Sequence, residues 1–170
     1  MFLAIGCGRV EQPAPNSENN ISIEVVNNTA NIHIAFAVFF GEGLEEGGEN
    51  HLGEEVISPG ETHTFVLPEG TYDLSLLTYE LFVVYGSFGI SESSRIEIGG
   101  PDMLPVLVRN DSDQDIALFY ISPSENPDWG EDLLGAAGFI PALSGRRFFF
   151  VEPGTYDLLA INLDEQRVLE

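Results

Sequence analysis

Gly70-Thr71-Tyr72-Asp73-Leu74 returns later in the chain as Gly154-Thr155-Tyr156-Asp157-Leu158. The surroundings of both copies align as well. At one constant offset Asn28 falls on Asn110, Ile34-Ala35 on Ile116-Ala117, and Gly48-Glu49-Asn50-His51-Leu52-Gly53 on Gly130-Glu131-Asp132-Leu133-Leu134-Gly135. Past that block the offset widens by two residues and sets Phe65 on Phe149, so one intervening loop is longer in the second copy. An internal duplication constrains the fold more than any local propensity, because whatever one copy builds the other must be able to build. Each copy has only half of 170 residues in which to bury a core.

The periodicity inside each copy is that of strands. Ile21, Ile23 and Val25 alternate with Ser22 and Glu24, the period-two pattern of a half-buried strand. Residues 30–40 are apolar on both faces, His33 included, which predicts a longer, central strand. Further strands are predicted over 62–67 and 71–79, joined by Pro68-Glu69-Gly70, and over 81–85 and 95–98. Gly99-Gly100-Pro101 marks the boundary between halves. The second copy predicts strands over 104–108, 116–121, 146–151 and 155–163. No long window carries a helical stripe, and the one helix signal is a capping box, Asp128 to Glu131, which promises a single turn.

Charge and cysteine content narrow the function classes. Hydrophobic residues make up 44% of the chain, enough for a packed core, yet net charge is −22, with 28 acids against six arginines and no lysine. A negative field of this size repels phosphate, so nucleic acid is excluded as a partner. It also repels anionic headgroups, so membrane attachment has to be covalent or hydrophobic. Without lysine there is no Schiff-base chemistry and no phosphate-binding P-loop. A single cysteine, Cys7, precludes an intrachain disulfide.

Met1-Phe2-Leu3-Ala4-Ile5-Gly6-Cys7 is apolar, has small residues before the cysteine, and is followed by a polar stretch rich in Pro, Asn and Ser. These residues resemble the end of a bacterial lipoprotein signal peptide, whose lipobox closes on Gly-Cys. The resemblance implies lipidation at Cys7, removal of residues 1–6, a flexible tether over 8–20, and a location in the cell envelope, on the periplasmic or surface side. A start upstream of Met1 would supply the basic residues that open such a signal. The two Gly-Thr-Tyr-Asp-Leu segments are similar to a strand common in immunoglobulin-like and transthyretin-like extracellular repeats. That likeness implies tandem β-sandwich repeats, 21–100 and 101–170; a joint sandwich with one sheet from each copy is the alternative.

Candidate chemistry is sparse. The loop over 41–55 holds Glu42, Glu45, Glu46, Glu49, Glu54 and Glu55 among glycines, and its counterpart holds Glu125, Asp128, Glu131 and Asp132. Oxygen donors on flexible backbone suit Ca²⁺, which makes Glu49, Asn50, Glu131 and Asp132 candidate ligands. Asp111, Asp113 and Asp115 have the spacing that opens an EF-hand loop, but Ile116 stands where that loop needs glycine and Ser122 where it needs glutamate. The three aspartates therefore predict a turn with at most loose cation contact. His33, His51 and His63 lack zinc-ligand spacing, and no nucleophile elbow or metalloprotease motif is present. Trp129, on the long loop of the second copy, is a candidate contact for a sugar ring or a protein partner, against the plainer role of a core plug. The reading that results is a non-enzymatic envelope lipoprotein serving as a structural or protein-interaction module. Its competitor is a Ca²⁺- or carbohydrate-binding module using the acidic loops and Trp129.

Overall fold

In the computed structural model, which describes residues 20–41, 44, 48–135 and 138–169, the chain is built of strands, turns and loops, with no helix among the described residues. The eleven strands are β1 (Asn20–Asn27), β2 (Phe36–Gly41), β3 (Thr62–Pro68), β4 (Tyr72–Leu77), β5 (Val83–Ile90), β6 (Ser94–Ile98), β7 (Leu104–Arg109), β8 (Ile116–Pro123), β9 (Arg146–Val151), β10 (Tyr156–Asn162) and β11 (Arg167–Leu169). Period-two patterning does its expected work in the first half. β1 buries Ile21, Ile23 and Val25, and β4 buries Tyr72, Leu74 and Leu76, while the residues between them stay half-exposed.

Three sheets result, ordered β3-β1-β6, β2-β4-β5-β9-β7 and β11-β10-β8, and none closes into a barrel. Neighbours are antiparallel except for β1 with β6 and β5 with β9. Two apolar clusters fill the spaces between sheets. The first joins Ile23, Val25, Phe39, Phe65, Leu74, Leu76 and Ile98, all from the first half; the second joins Ile116, Phe119, Leu134, Ile140, Phe149 and Ala160. Most of each interior is thus supplied by one copy, rather than by one sheet from each copy around a joint core.

The halves are nonetheless fused. β5 of the first copy pairs in parallel with β9 of the second at Val83 and Arg147, so the five-stranded sheet contains strands of both. Successive side chains of β9 point to opposite faces. Phe149 enters the second core, 4.9 Å from the Phe119 ring, while Phe148 and Phe150 pack against the first. The Gly99-Gly100-Pro101 boundary is likewise packed. Gly99 has φ +70, and a Cβ there would lie 3.1 Å from Thr29 and 3.3 Å from Phe150.

Hydrogen bonds reveal the true register of the duplication. The fully buried Asn27 donates through Nδ2 to the carbonyls of Ile32 and Ile57, and its Oδ1 accepts from the N–H and hydroxyl of Thr29. Asn110 repeats this with the carbonyls of Gln114 and Ile140 and with the N–H and hydroxyl of Ser112. The counterpart of Asn110 is therefore Asn27 and not Asn28: the turn from Ser112 to Gln114 is one residue shorter than that from Thr29 to Ile32, which displaces the match by identity. Tyr72 and Tyr156 both donate through the hydroxyl to the carbonyl four residues upstream, at Pro68 and Glu152, the geometry of a tyrosine corner. Leu81 and Glu165, each with positive φ, close matching hairpins after β4 and β10.

Three other expectations need correction. The strand expected over 30–40 begins at Phe36, preceded by a single bridge from Ile34 to Ile57. Ile34 and Ala35 are both buried, so the alternation changes phase there and His33 ends up exposed. No helical turn forms at Asp128, because Gly130 takes φ +78 and the Asp132 side chain bonds the backbone of β8 instead. β11, three residues long and not expected from the sequence, pairs with β10, brings Val168 against the second core and completes the sheet of the second copy.

Replacing Asn27 by alanine removes four buried hydrogen bonds and leaves the Thr29 N–H without its acceptor, although the Ile32 and Ile57 carbonyls still accept from the Thr29 hydroxyl and the Ile34 N–H. The substitution should lower the unfolding free energy by about 3 kcal/mol in a denaturant titration. Because β9 serves both cores, the halves should unfold together. Phe148→Ala and Phe149→Ala are expected to shift one and the same thermal transition downward rather than to split it into two.

Candidate functional site

The two long loops carry Glu49, Asn50, Glu131 and Asp132, the candidate cation ligands. Asn50 lies against β2 with every polar group engaged. Its Oδ1 accepts from the N–H groups of Ala37 (3.0 Å) and Leu52 (3.1 Å), and its Nδ2 donates to the carbonyls of Ala35 and Gly53. Asp132 does the acceptor half of the same task on β8, taking the N–H groups of Phe119 (2.9 Å) and Leu134 (3.1 Å) on Oδ1. Each loop is thereby clipped to its strand, and Leu52 and Leu134 beside the clips drop into the two cores. The repeated Gly-Glu-[Asn/Asp]-x-Leu-Gly core encodes a loop clip and a plug. Glu49 and Glu131 point away from it and are exposed.

The remaining candidates are dispersed in the same way. Asp111 accepts from Nε of Arg109, Asp115 accepts from the N–H of Ala142, and Asp113 is exposed. Among the described residues no three His, Cys, Asp or Glu side chains come close enough to hold a metal ion. His51 stacks edge-on against Phe39, and His63 lies 3.5 Å from Glu55. Trp129 is half-buried, on a loop held by the Ser122 hydroxyl donating to the Asp128 carbonyl. Cys7, the tether over 8–19, and Glu42, Glu45 and Glu46 lie outside the described residues.

Sequence reasoning missed the seam between the halves. An open hollow of about 320 Å³ is lined there by Asn31, Ile32, His33, Thr78, Tyr79, Glu80, Phe82 and Phe148. The Arg146 guanidinium lies 5.0 Å from the centre of the Phe82 ring, and that of Arg147 lies 5.6 Å from Phe149. Partial burial pushes the Arg147 guanidinium down from its ordinary value, and the negative charge of Asp132 opposes that shift. Adjacent arginines before three phenylalanines were the available signal, but only the pairing of β5 with β9 explains it. Comparison with protein-family models, with curated proteins and with solved structures finds no match.

The clip makes a direct prediction. Asn50→Asp keeps the oxygen that accepts from Ala37 and Leu52 but deletes both donors, and should cost about 1–2 kcal/mol of stability in a denaturant titration. Adding Ca²⁺ should not restore it if the residue serves as a clip and not as a ligand.

Proposed function

We propose that this chain is a non-enzymatic cell-envelope lipoprotein whose two fused β units form a structural or protein-interaction module, held at the membrane by a lipid on Cys7. The observation that carries the reading is the use made of polar side chains in both copies. Asn27, Asn110, Asn50, Asp132 and Thr29, the residues that a catalytic or ligand site would have to recruit, hold backbone groups in place. Joining the halves through β5 and β9 adds stiffness, since any hinge would have to break a sheet. A body of net charge −22 stands off from anionic membrane surfaces, which suits a module displayed on a tether.

The test is acylation. The chain is expressed in a bacterial host behind the genomic sequence that precedes Met1, with radiolabelled palmitate in the medium. Label should enter the protein and the protein should sediment with membranes, and Cys7→Ser should abolish both. A wild-type chain that takes up no label and stays in the soluble fraction overturns the lipoprotein reading.

A further inference from the structure

The two copies differ at one place that their shared register makes exact to locate. In the first copy β1 is an inner strand, with β3 on one side and β6 in parallel on the other. β6 brings Ile96 and Ile98 into the first core. In the second copy β9 takes the place of β3, but nothing among the described residues takes the place of β6, and β7 ends its sheet.

The exposed apolar surface follows that vacancy. With Asn27 matched to Asn110, Ile21, Ile23 and Val25 correspond to Leu104, Val106 and Val108. Ile21 is 7% exposed and Leu104 is 53% exposed. Val106 and Val108 are half-buried where Ile23 and Val25 are fully buried. The facing sheet shows the same contrast, with Tyr72 and Leu74 buried but Tyr156 and Leu158 half-exposed.

Backbone polarity agrees. The Asn27 N–H points to the β3 side and that of Asn28 to β6, and the Asn110 N–H points to the β9 side. Because N–H groups alternate along a strand, those of Leu107 and Arg109 face the open edge. Pro105 has no N–H to offer and stands where Ser22 stands in β1, next to the point where the β6 ladder ends. β7 is long enough to pair with a strand as short as β6.

We propose that the open edge of β7 binds a short extended segment of a basic partner protein, added parallel to β7 with aliphatic residues at alternate positions, as β6 adds to β1. This rests on the interaction-module reading above and names its site. Charge selects the partner. β7 itself contains no carboxylate, Asp102 and Asp111 are exposed at its two ends, and the chain as a whole carries −22. Asp111 is already held by Arg109, so basic residues flanking the added strand meet Asp102 and the field of the whole chain, whereas a second copy brings another −22 to the same edge. Most of the affinity comes from main-chain hydrogen bonds, and the register from the alternating aliphatic side chains.

The probe is a synthetic peptide with the sequence of Ser94–Ile98 flanked by lysines, titrated against the whole chain carrying Cys7→Ser and followed by fluorescence anisotropy. In the β6 register its glutamate lies beside Arg109. Saturable binding that weakens as salt is raised is expected, and a peptide of the same composition with the isoleucines adjacent should not bind. Leu107→Pro removes an outward N–H and leaves the bonds to β9, so it should weaken binding roughly tenfold or more at an unchanged unfolding transition. Should that variant unfold, Leu107→N-methyl-leucine introduced by semisynthesis makes the same deletion. No binding, or equal binding by the folded variant, overturns the proposal. So does a concentration-dependent dimer that the substitution dissolves, which would make a second copy the occupant. None of these outcomes touches the palmitate result, so the two readings fail separately.

Discussion

The two-sidedness of β9 is the constraint on which the rest of the molecule depends. Phe149 closes the second core against Phe119, and Phe148 and Phe150 on either side of it seal the edge of the first. A strand committed to two interiors cannot belong to a loosely tethered domain. Its parallel pairing with β5 fixes where the second copy sits, and the contact of Phe150 with Gly99 fixes the connection between copies. The central sheet therefore carries one core on one face at its β2 end and the other core on the opposite face at its β7 end. Duplication alone yields two similar units; the three consecutive phenylalanines make them one body.

What was legible in the sequence was whatever rests on local chemistry. Gly-Thr-Tyr-Asp-Leu could be read as a repeated strand because its tyrosine needs a turn four residues upstream and a buried face beyond it, and both copies supply them. The Gly-Glu-[Asn/Asp]-x-Leu-Gly block was visible as a repeat but was open to a cation-binding reading. Sequence shows that an amide or carboxylate recurs, while only coordinates show that its oxygen is already engaged by Ala37 and Leu52, or by Phe119 and Leu134. Matching Asn28 to Asn110 failed for a related reason. Two asparagines stand side by side, and the one that matters is distinguished by a buried network and not by its neighbours in the chain. The pairing of β5 with β9 was illegible altogether, since nothing in Val83 or Arg147 specifies a partner so distant in sequence.

Electrostatics follows the same division. Arg95 pairs with Glu97 on its own strand and with Glu24 across the β1–β6 ladder, and Arg109 pairs with Asp111, so these cations are balanced within one copy by near neighbours. Arg146 and Arg147 are placed at the seam and lie over the aromatic rings of Phe82 and Phe149. In a chain so rich in acid, placing two cations on rings and not on carboxylates is informative. A guanidinium is weakly hydrated and stacks on an aromatic face at modest cost, so it covers apolar surface where two sheets of different origin meet. Asp132 then has two tasks, clipping its loop to β8 and supporting the charge of Arg147 across the interior.

The asymmetry between the copies gives the duplication its functional interest. If selection acted only on stability, the second core would be expected to recruit a strand like β6, because Ile96 and Ile98 show how much apolar surface one short strand can close. Instead Leu104 lies open, Val106 and Val108 are half-covered, and Pro105 limits the ladder from one end. Edge strands are ordinarily protected against pairing by charge, by proline or by a covering segment. β7 carries proline at one position only and has no covering segment among the described residues, so the protection is partial. It excludes a long ladder and leaves room for a short one. An edge protected in this way discriminates among added strands by length and register, which a bare edge does not and a covered edge cannot.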